Sequence, residues 1–120
     1  MKILVTGGAG FIGSHLVEKL IKNNKVIVID NYSTGRYENI KHLSKNKNLT
    51  VYKKDIYSDK IDYLFKDVNT VFHIAALADI VPSIQNPTNY FNSNVTGTLN
   101  VLKSCTKYKV KKIVYTASSS

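Results

Sequence analysis

The run Thr6-Gly7-Gly8-Ala9-Gly10-Phe11-Ile12-Gly13 constrains this chain more than any other stretch. Residues 2–6 are a short β-branched run of the size of a buried strand. Residues 11–22 place Ile12, Leu16, Val17 and Leu20 at helical spacing. The glycines therefore turn the chain from a strand into a helix. They satisfy G-x-G-x-x-G at Gly8, Gly10 and Gly13, and G-x-x-G-x-x-G at Gly7, Gly10 and Gly13. Glycine permits the tight turn and lets the backbone approach a pyrophosphate. The helix start offers unpaired N–H groups and a positive dipole end to an anion. Gly13 removes a side chain between helix and sheet.

Apolar runs at residues 25–29, 49–53, 70–74 and 112–117 read as four further strands. A loop with a helix near residues 38–43, a short helix over 59–65 and a long helix from Pro87 to about Lys107 alternate with them, and residues 75–85 read as a loop. The strands are near-continuously apolar, so both faces are covered. The fold class is α/β, a doubly wound parallel sheet of order 3-2-1-4-5 that stops after its fifth strand. Asp30 closes the second strand 17 residues after Gly13. A carboxylate there suits the ribose hydroxyls of an adenosine and repels a 2′-phosphate, which favours NAD over NADP. Arg36, in the next loop, softens that preference, and a turn cap is the structural alternative for Asp30.

Composition excludes other classes. With 43% hydrophobic and 21% charged residues the chain is not disordered, and 120 residues allow one domain. Its apolar runs reach about five residues, far short of the roughly 20 that span a bilayer. No signal peptide is visible, so a soluble, cytoplasmic protein without a membrane partner is expected. The single Cys105 precludes an internal disulfide and argues against a metal site, and its mid-helix position reads as buried and inert. The net charge of +9 suggests a polyanion, but only Arg36 among the seventeen basic residues is an arginine, which argues against a nucleic-acid partner. His73, alone at a strand end, reads as a packed core residue.

These segments resemble the extended short-chain dehydrogenase/reductase family of NAD-dependent nucleotide-sugar epimerases and dehydratases. The resemblance continues through VIVIDNYSTG (26–35), KKDI (53–56), VFHIAALADIVPSIQNP (71–87), NVTGTLNVL (94–102) and VKKIVYTASSS (110–120), with the UDP-hexose 4-epimerases most similar. It implies a Rossmann-type NAD-binding domain, here partial, with the C-terminal substrate domain absent. Phe11 and Ile12 would lie in the pyrophosphate loop with the glycines. Asp30, Asn31, Ser33, Thr34 and Gly35 would surround the adenosine ribose, and Asp55 and Ile56 would edge the adenine. Ile74, Ala75, Ala76 and Ala78 would line the nicotinamide-side ribose, and Asn94 would anchor that loop from the long helix.

The resemblance also implies a reaction. The sugar C4 would be oxidised by tightly bound NAD and reduced again from the other face, in a homodimer acting on a nucleotide sugar; the alternatives are another extended-family enzyme (a nucleotide-sugar dehydratase, decarboxylase or reductase) or a non-catalytic NAD-sensing module. Ser118, and next Ser119, would hydrogen-bond the sugar 4-hydroxyl, and a serine run there departs from the Thr-Asp-Glu usual in dehydratases. The family's base is a Tyr-x-x-x-Lys after this strand. Tyr37 to Lys41 and Tyr108 to Lys112 have that spacing but precede the serines, and neither is expected to serve. The chain alone is therefore expected to bind NAD at best, without turnover, and to be marginally stable or self-associating.

Overall fold

The computed structural model describes residues 1–117; Ser118 and Ser119, expected at the substrate, lie outside the described residues. Strands β1 (Lys2–Thr6), β2 (Lys25–Asp30), β3 (Leu49–Lys53), β4 (Thr70–His73) and β5 (Lys112–Tyr115) form one parallel sheet in the order β3-β2-β1-β4-β5. This is the order read from the sequence. Right-handed crossovers send the chain to one side of β1 first and to the other side later. The carboxyl end of β1 is therefore the point where the winding reverses, and a crevice forms there.

Alternation along the strands divides the core in two. Ile3, Val5, Val26 and Val28 face helix α1 (Phe11–Leu20) and pack with Val17 and Ile21. Leu4, Ile27, Ile29 and Val71 face the opposite way and pack with Leu64 and Phe65 of the 3₁₀ turn Asp62–Phe65. Val101 and Cys105 of helix α4 (Gly97–Lys107) complete that layer. Cys105 is buried, as expected, and burial raises its thiol pKa.

Several boundaries differ from the sequence reading. The segment expected to be a loop over residues 75–85 contains helix α2 (Ile80–Gln85). Its Ile80, Val81 and Ile84 stay exposed, the helix is only six residues long, and Pro82 falls in the first turn, where its missing N–H costs nothing. The helix expected from Pro87 to Lys107 is α3 (Pro87–Phe91), a π-helical turn (Asn92–Thr96) and α4. Between β2 and β3 stand two 3₁₀ turns, Tyr37–Asn39 and Lys41–Leu43, rather than one helix. Strand β5 ends at Tyr115 instead of Ala117. Ile12, expected on the apolar stripe of α1, is 66% exposed, because the buried stripe is centred on Gly13 and Val17.

Phe65 is fully buried in the α4-side layer. Phe65→Ala is expected to lower unfolding free energy by about 3–5 kcal/mol in denaturant titration. Tyr63→Ala, at a neighbouring exposed position, is expected to cost less than about 1 kcal/mol.

Candidate functional site

A cleft of about 380 Å³ opens at the carboxyl end of β1. Its floor depends on two glycines. Gly7 has φ +73°, and a Cβ there would lie 2.8 Å from the Ala75 nitrogen. A Cβ on Gly13 would lie 2.1 Å from the Gly7 carbonyl oxygen. The spacing that the geometry uses is therefore Gly7, Gly10, Gly13. Gly8 instead faces the core, where a Cβ would meet the Val28 side chain at 2.7 Å.

Helix α1 begins beside the cleft with Gly10 as an extended N-cap, and no side chain caps it. Its first-turn N–H groups thus lack an intrahelical partner and present a positive dipole end. Phe11 and Ile12 line the same opening.

Asp30 is 8% exposed and lines the cleft. Its Oδ2 accepts from the Ala9 N–H at 2.9 Å and its Oδ1 from the Tyr32 N–H at 2.8 Å. Each oxygen keeps a further lone pair for a hydroxyl donor. The carboxylate is thus both a turn cap and an open acceptor. Arg36 N and Asn39 Nδ2 hold the Ala9 carbonyl at 3.0 and 2.8 Å, which fastens the glycine turn to the loop after β2. That loop supplies Asn31, Ser33, Thr34 and Gly35 to the rim. Asp55 accepts from Tyr57 N and, at 3.2 Å, from Asn31 Nδ2; Asp55 and Ile56 line the far end.

Ile74, Ala75, Ala76 and Ala78 form the opposite wall. Asn94 lies outside this cleft and lines an adjoining one of about 410 Å³. Its side-chain amide clasps the wall instead: Oδ1 accepts from Leu77 N and Nδ2 donates to Leu77 O, both at 2.8 Å. Asn94 sits in the π-helical turn, a widened turn that often marks functional positions. Ile29, Lys54 and Ser93 also line the cleft and were not anticipated; only Lys54, beside Asp55, had a positional signal.

His73 is 1% exposed and stacks on Tyr115, as a core residue should. Tyr37 and Tyr108 are absent from the cleft lining, and Tyr108 caps the end of α4 while Lys112 begins β5, so that pair shares no helix face. Among the described residues no group of three or more His, Cys, Asp or Glu could hold a metal ion, and no helix is long and apolar enough to cross a membrane.

Backbone donors beside a helix start suit a phosphate anion, and the flanking carboxylates suit hydroxyl and amine donors. A family model described as GDP-mannose 4,6 dehydratase matches residues 4–120. The chain belongs to that family. Within it, the chain is 37% identical over 126 residues to UDP-glucose 4-epimerase of Bacillus subtilis (strain 168), covering 100% of this chain and 37% of that protein. UDP-N-acetylglucosamine 4-epimerase from Methanobrevibacter ruminantium M1, solved in complex with UDP-N-acetylmuramic acid, superposes with a TM-score of 0.93 and 40% identity over 98% of this chain and 38% of that one. A dTDP-glucose 4,6-dehydratase from Streptomyces venezuelae, solved with NAD and TYD bound, superposes at 0.88 with 30% identity over 94% of this chain and 38% of its own. The chain therefore spans less than two fifths of the length of each of these relatives.

Burial holds His73 down to about 4 from its usual 6.5. The unfolded chain gains this proton near 6.5 and the folded chain near 4, so the unfolded state binds more protons between these values. Stability therefore falls as pH falls through that window, by up to about 3 kcal/mol from this residue. The His73 ring resonances are expected to remain those of a neutral imidazole down to about pH 5. A titration midpoint above about 6 would contradict the assignment.

Proposed function

We propose that this chain binds NAD at the carboxyl end of its sheet, as the cofactor-binding part of a nucleotide-sugar 4-epimerase. The observation that carries this reading is the cradle itself. The Gly7–Gly13 crossing, an uncapped helix start, the Asp30 carboxylate and a wall of small residues border one cleft. The residues fit the dinucleotide: N–H donors face a pyrophosphate, and Asp30 accepts from the adenosine ribose. Asp55 accepts from the adenine amine, and Ile74 to Ala78 let the second ribose lie against backbone. When bound, NAD supplies the hydride acceptor for a sugar carbon.

Asp30 favours NAD over NADP, because a buried carboxylate repels a 2′-phosphate. Ser118 and Ser119 hydrogen-bond the sugar hydroxyl in this reading. The Tyr-x-x-x-Lys base is carried elsewhere in the whole protein, so the chain alone binds cofactor without turnover. The exposed row Phe91, Val95, Leu99 and Leu102 along α3, the π-helical turn and α4 supports a homodimer. The nucleotide-sugar dehydratase among the structural relatives favours a second reading, the same cofactor domain serving 4,6-dehydration. The serine run at positions 118–120 departs from the Thr-Asp-Glu usual in dehydratases and favours the first reading; the residues just after Ser120, and whether a Tyr-x-x-x-Lys follows them, distinguish the two.

Calorimetric titration of the chain tests the reading. NAD is expected to bind in the micromolar range and NADP at least about tenfold more weakly, with Asp30→Ala narrowing that gap. Gly10→Ala separates binding from folding. A Cβ there meets only the Gly7 oxygen, at an ordinary 3.4 Å, so its stability should change by less than about 1 kcal/mol. Gly10 lines the cleft, so an added methyl group there should lower NAD affinity by at least about tenfold. A folded Gly10→Ala chain that binds NAD normally would place the dinucleotide somewhere else.

A further inference from the structure

A line of hydrogen bonds runs from the Thr6 side chain at the end of β1 through His73 and Thr98 to the main chain of the π-helical turn. Thr6 Oγ1 lies 2.7 Å from His73 Nδ1, and His73 Nε2 lies 2.8 Å from Thr98 Oγ1. Thr98 Oγ1 donates to the Asn94 carbonyl at 2.6 Å, and the Asn94 side chain holds Leu77. Thr6 and His73 are buried.

Counting protons fixes the direction of every bond. A carbonyl only accepts, so Thr98 commits its single proton to Asn94. Its oxygen is left to accept from His73 Nε2, which must carry a proton. At the other end, Thr6 Oγ1 accepts from the Ala75 N–H at 3.1 Å and shares the Ile74 N–H, also at 3.1 Å, with the Thr6 carbonyl at 3.2 Å. With Nε2 protonated and the ring neutral, Nδ1 is an acceptor and the Thr6 proton goes to it. The count from the Thr98 end sets the form of the imidazole, neutral and protonated on Nε2, and the donors at Thr6 agree with it. Protonation of Nδ1 would aim an N–H at an oxygen that already accepts from Ala75 and in part from Ile74. The burial of the ring disfavours the charged form as well.

The line joins two holders of one segment. Thr6 fixes the start of the Ile74–Ala78 wall through Ile74 and Ala75, and Asn94 fixes its middle through Leu77. We propose that His73 and Thr98 are positioning residues, which act through Thr6 and Asn94 to set this wall for the nicotinamide-side half of the cofactor. The proposal rests on the NAD reading above. Neither residue touches the dinucleotide in it. The wall does, on the side away from the adenosine.

The test combines two measurements. Long-range ¹H–¹⁵N correlation spectra of the unmodified chain read the His73 tautomer directly. Calorimetry with NAD and with ADP, which lacks the nicotinamide half, is then run on Thr98→Val and Thr98→Ser. The expected result is an Nε2–H imidazole and a Thr98→Val chain that binds NAD about tenfold more weakly while its ADP affinity stays within about twofold. Thr98→Ser, which keeps the hydroxyl, restores NAD affinity. An Nδ1–H tautomer overturns the proposal even if Thr98→Val does not fold. Equal losses for NAD and ADP, or undiminished NAD binding in folded Thr98→Val, overturn it too. Failure of the unmodified chain to bind NAD, with the Nε2–H form present, removes the NAD reading and the positioning role with it while leaving the hydrogen-bond line intact.

Discussion

The approach of Gly13 to the Gly7 carbonyl sets the geometry of the whole carboxyl end of the sheet. Placing glycine in regular structure costs about 0.5–1 kcal/mol of backbone entropy relative to alanine. A Cβ 2.1 Å from a carbonyl oxygen is far inside van der Waals contact, and only movement of the main chain would relieve it. The steric term decides. With Gly13 in place, α1 starts directly under the turn from β1, and its uncapped N–H groups open onto the crevice. The close passage of Gly7 beside Ala75 then brings the β4 side of the crevice within reach.

Other constraints follow from that crossing. Ala9 is held by Asp30 on its N–H and by Arg36 and Asn39 on its carbonyl, so the loop after β2 is seated on the glycine turn. Asp30 can be buried because its oxygens already accept backbone N–H groups, which offset the desolvation of a charge. The same atoms face the opening. Charge is also divided along the strands. Asp30 ends β2 and Asp55 follows β3, whereas Lys2, Lys25 and Lys112 begin β1, β2 and β5. Those three lysines stand at the end away from the crevice, whereas Lys53 ends β3 and Lys54 lines the cleft beside Asp55.

The strands, their order and the glycine turn were legible in the sequence because each rests on a local rule: apolar runs of strand length, alternation with helices, and glycines at fixed spacing. The cleft lining was legible through the same turn and the residues that resemble the family's. Other features were not. Helix α2 carries Ile80, Val81 and Ile84 at helical spacing, but it is only six residues long and contains Pro82, so the pattern was too short to separate from a loop. The π-helical turn at Asn92–Thr96 arises where the Asn94 amide meets Leu77, a contact between residues 17 apart that no window shows. The separate jobs of Gly7 and Gly8 were hidden because both are glycines within overlapping patterns; only their surroundings, Ala75 for one and Val28 for the other, separate them. His73 was readable as a core residue, but its two threonine partners come from β1 and α4 and declare themselves only in three dimensions.

The most direct test of the central claim, that a dinucleotide lies across the crevice at the carboxyl end of β1, is an amide chemical-shift map of the chain titrated with NAD. The account predicts saturable shifts at Gly7 to Gly13, Asp30 to Gly35, Asp55 to Ile56 and Ile74 to Ala78, with the amino ends of the strands silent. Shifts gathered instead around Lys2, Lys25 and Asn48, at the opposite end of the sheet, would mean that the lysines attract the phosphates nonspecifically and would contradict the account.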